Sequence, residues 1–147
     1  FQDNNFKYNL SPLENRSSKF IFKNQFIDNL IWTFLSAVPI WSAYEITFFW
    51  MFANGYIMSI NFGSNPIYFI ILFLLIPIFH SIHFYFTHRL LHTKILYKIA
   101  HKIHHHNNNP GPWSGLSMHP IEHFIYFSGL FIYLLVPVHP FFILYHI

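Results

Sequence analysis

Residues 30–52 read LIWTFLSAVPIWSAYEITFFWMF, 23 residues in which Glu45 is the single formal charge. Coiled as an α-helix, the stretch is roughly 33 Å long, against a bilayer core of about 30 Å. Trp32 and Trp50 sit near its ends, where interfacial aromatics anchor a span. A second stretch, Pro66–Thr87, repeats the length with 22 residues. The intervening Asn54–Asn65 is uncharged and rich in Gly, Asn and Ser, which marks a turn. Lys7, Arg16, Lys19 and Lys23 precede the first stretch; Arg89, Lys94, Lys98 and Lys102 follow the second. Basic residues on both flanks and none in the turn predict a helical hairpin with both flanks cytosolic. About 25 polar and mixed residues come before the first apolar run, which does not fit a signal peptide.

Composition agrees. Of 147 residues, 54% are hydrophobic, 22% aromatic and only 9% charged, where a soluble domain carries about a quarter charged. That is too little charge to coat a soluble globule and too much hydrophobicity for a disordered chain. The absence of Cys removes disulfides, thiolate metal sites and thiol catalysis. The net charge of +3 is explained by topology, so no nucleic-acid partner is expected. The chain lacks an initiator Met and stops at Ile147 inside an apolar run, so we expect a piece of a larger membrane protein. The expected fold is all-α: an integral membrane helical bundle with a cytosolic, histidine-rich di-metal cap. Residues 1–29 read as an N-terminal cytosolic segment and 30–147 as the membrane domain.

Between His88 and His119 the chain is polar, and it reads as helical to about His106. Pro110 and Pro112 in "NNNPGPW" must end that helix. Ile121–Val136 is apolar for only 16 residues, about 24 Å of helix and short for a crossing. A shallow re-entrant hairpin bent at Pro137–Pro140 is the expectation, with His139 buried in protein or bilayer and the chain returning through Phe141–Ile147.

The 12 histidines are the anomaly. "HRLLH" places His88 and His92 four apart, one helical turn, on a common face. "HKIHHH" places His101, His104 and His105 at i, i+3 and i+4. Neutral imidazole ligates iron, zinc and copper. Five of them exceed one zinc site and suit a two-metal centre. His119 and His123 repeat the four-residue spacing; His119 reads either as a further ligand or as a cap of the next helix, with Pro120 in its first turn. His106 faces away or supports the ligands. His80 and His83, inside the second stretch, line a substrate cavity, hydrogen-bond a ligand, or pair with a carbonyl or water. His139 and His146 read as interfacial. There is no HExxH, no ExxH pair, no nucleophile elbow and no P-loop. An imidazole-rich di-metal site at a membrane surface points to oxygen activation on a lipid.

At "HFYFTHRLLHTKILYKIAHKIHHHNNNPGPWSGLSMHPIEH", residues 83–123, the chain resembles the fatty acid hydroxylase/sterol desaturase superfamily, closest to its sterol C-5 desaturase-like branch. The resemblance runs from about His80 to His139. It implies a four-helix membrane fold with two non-haem iron ions, O2 as co-substrate and an electron donor such as cytochrome b5. It also implies an endoplasmic-reticulum location with the site facing the cytosol, and a sterol or fatty acyl substrate that is hydroxylated or desaturated. His88, His92, His101, His104 and His105 match the boxes, and His119 matches the later "HP" element. The family's last HxxHH box does not occur before the chain stops, so this stretch alone is expected to be inactive. Competing readings are a catalytically inert relative, a divalent-metal transporter or sensor, and a bis-His haem protein. A transporter wants midplane ligands. A haem protein needs a His on each span, and Leu30–Phe52 has none.

Overall fold

The computed structural model describes residues 19–107, 111 and 113–146. It is helical, as expected: among these residues there is no strand, only an isolated parallel bridge between Ser59 and Val138. The chain divides into two compact units, one of residues up to Pro39 with Leu91–His123, the other of Ile40–Leu90 with Phe124–Ile147. Lys7, Arg16, Pro110 and Pro112 lie outside the described residues.

Helix α1 runs Gln25–Ala53. It starts five residues before the apolar run because Asn24 caps it, its side chain accepting from the backbone of Phe26 and Ile27. Between Thr33 and Ala37 it widens into a π-turn, with Val38 N–H bonded to Thr33 O. Pro39 follows two residues later, where its ring and missing N–H disfavour a regular α-turn. The buried side of the first turns is polar: Asp28, Asn29, Thr33 and Ser36.

Helix α2 spans Pro66–Leu91. Pro66 occupies the first turn, where a missing N–H costs nothing, and the helix outlasts the expected Thr87 by four residues. Both α1 and α2 are long and apolar enough to cross a membrane, at 29 and 26 residues. Ile67, Leu74, Ile78 and Phe86 of α2 are each more than half exposed. Inside α2, Pro77 cannot donate to the carbonyl of Phe73 four residues back. The Tyr145 hydroxyl donates to that carbonyl instead, at 3.1 Å.

Helices α3 (Lys94–Leu96), α4 (Pro120–Phe127) and α5 (Phe141–His146) are short. The expected single helix after His119 is replaced by α4 and a 3₁₀ stretch, Ser128–Leu134. The rise of 3₁₀ is about 2.0 Å per residue, against about 1.5 Å for α. The two pieces therefore reach about 26 Å, farther than 16 α-helical residues. Only the depth departs from the expectation: the chain still bends at Pro137–Pro140, where Phe142 N–H bonds His139 O, and returns alongside α2, Tyr145 reaching Phe73. Val138 exchanges backbone hydrogen bonds with Met58 and Ile60 in the α1–α2 connection. His139 is half-buried and lines a cavity of about 610 Å³ with Ser59, Asn61 and Asn65. The chain then turns into α5, and the core of this unit gathers Phe48, Leu72, Ile76, Leu130, Tyr133, Phe142 and Ile143. His146 is 7% exposed, buried rather than interfacial.

Candidate metal centre

Three imidazoles converge in the first unit. His92 follows the end of α2, and Thr93 adopts an extended backbone that redirects the chain into α3. A π-turn over Tyr97–His101 follows, with Lys102 N–H on Tyr97 O at 2.9 Å. His104–His106 then tighten into 3₁₀. The expected continuous helix is thus three windings, broken at His92–Thr93.

The Nε2 of His101 lies 3.3 Å from that of His92 and 3.0 Å from that of His105. Two nitrogens bound to one metal at about 2.0–2.1 Å sit about 3 Å apart, so this spacing fits a shared ion. His101 is fully buried, and its Nδ1 contacts Glu122 Oε1 at 2.7 Å, also fully buried. That contact fixes the ring and turns Nε2 toward the other two. Burial pushes the Glu122 carboxyl up to about 8. His92 and His105 are exposed and rest on Tyr97, at ring centroid separations of 5.8 and 5.6 Å.

The other expected residues are placed differently. His104 is not among the group whose ligand nitrogens approach within 4.8 Å; its ring stacks on His101 at 5.7 Å. Three residues per 3₁₀ turn set consecutive rings about 120° apart, so His104 and His105 cannot share a face. The capping reading of His119 is realised: its Nδ1 accepts from Ile121 N–H at 3.2 Å, and its ring meets Trp32 at 6.1 Å. Burial lowers its pKa. His123 is buried, its Nδ1 2.9 Å from Ser36 Oγ, and burial takes it down to about 4, holding it neutral. His106 meets Phe20 edge-on and lines a cavity of about 570 Å³ with Lys19, Tyr97, Lys102 and His105. Its pKa is lowered by burial first, then by Lys102 and Lys19.

In the second unit, His88 sits in the last turn of α2, its Nδ1 3.0 Å from the Tyr126 hydroxyl and its ring stacked on Phe84. His83 Nε2 contacts Ser128 Oγ at 3.2 Å, and His80 meets His146. Glu122, Ser36 and Tyr126 were not anticipated as partners of histidines. The one signal in the sequence was Glu122 itself, a lone acid inside "HPIEH" at the start of an apolar run.

Residues 72–147, just over half of the chain, match the family model described as fatty acid hydroxylase. Methylsterol monooxygenase 1 of Gallus gallus is 44% identical over 52 residues, 35% of this chain and 18% of that protein. A Delta(7)-sterol 5(6)-desaturase of Gibberella zeae is 35% identical over 52 residues, 35% of this chain and 16% of its own. Another from Aspergillus fumigatus is 40% identical over 47 residues, 32% and 15%. The matches thus span under a fifth of the length of these curated relatives. No solved structure matches the chain.

Proposed function

The chain belongs to the fatty acid hydroxylase family, and from that premise we propose that it forms part of an integral membrane, di-iron, O2-dependent lipid oxidoreductase. The observation that carries the reading is the crowding of His92, His101 and His105 nitrogens around one point, with Glu122 behind the buried member. Such a donor set fits iron, since neutral imidazoles suit it and a carboxylate-held ring is a common partner to a ligand.

His88, His92, His101 and His105 are the ligands we favour; His88 is four residues before His92 in sequence, and its Nδ1 contacts the Tyr126 hydroxyl. His104 and His119 complete the set that the boxes imply. Bound there, iron would supply the oxidising power that side chains lack for an unactivated C–H bond. Hydroxylation converts R–H, O2, two electrons and two protons to R–OH and water. Desaturation of CH2–CH2 with the same inputs yields CH=CH and two waters. A cytochrome b5-type carrier is the electron source we propose, the endoplasmic reticulum the location, and the cytosolic side the face that carries the boxes.

The protein's share of this chemistry is positional. Glu122 aims the His101 ring, and Tyr126 aims His88. The exposed apolar faces of α1 and α2 lie in lipid and admit an acyl chain or sterol beside them. His83 and Ser128 satisfy one another within that apolar unit.

The test is elemental analysis of the full-length protein, purified in detergent, beside an O2-consumption assay with sterol and fatty acyl substrates. Two irons per chain without haem absorbance, and product formed only with O2 and reductant, are expected. Haem absorbance, or oxidation independent of iron, would overturn the reading.

A further inference from the structure

The unit that holds the metal centre also carries a cavity of about 570 Å³, lined by Lys19, Tyr97, Lys102, His105 and His106. Lys19 comes from the segment before α1, and the other four from the windings after α2. The π-turn over Tyr97–His101 is what puts Lys102 on this wall. In a π-turn the residue five on, rather than four, comes round beneath the first. Lys102 N–H closes that ring on Tyr97 O at 2.9 Å. In an unbroken α-helix the two side chains would diverge by about 140°.

Charge here is one-sided. Between Leu91 and Ile121 the sequence holds Lys94, Lys98 and Lys102 and no acid. The described acids of this unit, Asp28 and Glu122, are 4% and 0% exposed. Both are engaged, Asp28 accepting from Ile21 N–H at 3.1 Å and Glu122 against His101. Among the described residues no carboxylate pairs with Lys19 or Lys102, and both lysines are exposed. An ammonium only donates. Two of them on one cavity, with a phenol hydroxyl beside them, favour a negative group with several acceptor oxygens. Phosphate is such a group.

The surroundings decide what carries the phosphate. Ile21 and Phe22, next to Lys19, are 67% and 50% exposed. Ile95 and Ile99, set among Lys94, Lys98 and Lys102, are 71% and 54% exposed. Lysines interleaved with exposed apolar side chains, flanking two helices long enough to span a bilayer, suit an anionic leaflet. An acidic protein surface would use the lysines but not the isoleucines. We propose that the cavity of Lys19 and Lys102 binds the phosphate of an anionic membrane phospholipid and seats the cap on the leaflet. The proposal rests on the membrane reading above and needs no iron.

The probes are fluorescent phosphatidic acid, phosphatidylcholine with the same acyl chains, and inorganic phosphate. Each is titrated against the full-length protein in neutral detergent. Phosphatidic acid should bind at least about tenfold more tightly than phosphatidylcholine. A lysine beside anionic lipid contributes about fivefold, so Lys19→Ala with Lys102→Ala should weaken phosphatidic acid about 25-fold. Lys19→Arg with Lys102→Arg should retain most of the affinity, and stripping iron with a chelator should leave it unchanged. Lys94→Ala with Lys98→Ala removes the same charge outside the cavity and should cost no more than about fivefold. Circular dichroism follows folding; should the alanine pair unfold the chain, Lys102→Gln alone should lose about fivefold. Equal losses from the two lysine pairs would overturn the proposal, as would dependence on iron. Equal affinity for the two lipids would overturn it and leave the lysines to an acidic protein surface. Displacement of the lipid by an equal concentration of inorganic phosphate would overturn it in favour of a soluble anion. A chain that stays monodisperse without detergent would instead defeat the membrane reading, and the proposal with it.

Discussion

Replacing Glu122 with alanine removes the acceptor behind the one cap imidazole that is fully buried. Glu122 and His101 are both 0% exposed, so water cannot substitute without opening the fold. A hydrogen bond with a charged partner contributes about 1.5–3 kcal/mol. Independently, removing the partner of a metal-ligating ring costs about 10–100-fold in metal affinity, which converts to about 1.4–2.8 kcal/mol. The two ranges coincide, so Glu122→Ala should weaken iron or zinc at the cap by about 100-fold. Above its raised pKa of about 8 the Glu122 carboxylate is charged, and there Glu122→Gln keeps an acceptor oxygen and similar volume but loses that charge. Charge-assisted bonds are roughly twice as strong as neutral ones, so above that pH its loss should be about tenfold. The assay is competition between the purified protein and a fluorescent chelator, with the metal-free melting curve recorded alongside. Wild-type affinity in Glu122→Ala would refute the orienting role. Equal losses in the two variants would refute the part assigned to charge.

Further outcomes follow from the same geometry. Tyr126→Phe removes the hydroxyl behind His88 and should lower cap affinity about tenfold, read by the same competition. Ser36→Ala breaks the buried contact with His123 and should destabilise by about 1 kcal/mol in denaturant unfolding, with Ser36→Thr recovering most of it. His92→Ala and His105→Ala should each abolish turnover of the full-length protein while His106→Ala slows it only mildly; full activity in His92→Ala would remove it from the ligands. Cysteines at Ser59 and His139 should label from one side of sealed membranes, and one at Thr93 from the other. Labelling at positions 139 and 93 from the same side would restore the shallow hairpin.

The two long helices were legible because hydropathy is additive along a chain: a run of apolar residues announces its length directly. The start of α1 was misplaced by five residues because the decisive feature is one Asn24 side chain meeting two amides, a local geometry that apolar counting ignores. The approach of His92, His101 and His105 was readable from spacing, even though three different windings deliver it. Their supports were not. Ser36 and His123 are 87 residues apart, and no pattern along the chain joins them. The bend at Pro137–Pro140 was legible from its prolines, but the reach of the segment before it was not, because that depends on choosing 3₁₀ over α at Ser128–Leu134. His146 was assigned to an interface for its place near an apolar end, while Tyr133 and Gly129 draw it inward.

Pro77 has a consequence beyond its own helix. A six-residue helix such as α5 is too short to hold itself together and carries little positional information. Against a smooth apolar neighbour it could slide by a turn, about 5.4 Å, at small cost. The carbonyl of Phe73, deprived of its usual donor, acts as a notch, and the Tyr145 hydroxyl is the pawl that drops into it. Once engaged, the next residue, His146, can arrive only at the level of His80. A proline in one helix thereby sets the address of another. Restoring an amide with Pro77→Ala would leave α2 intact or straighter, while amide hydrogen exchange in α5 would quicken as the detent disappears.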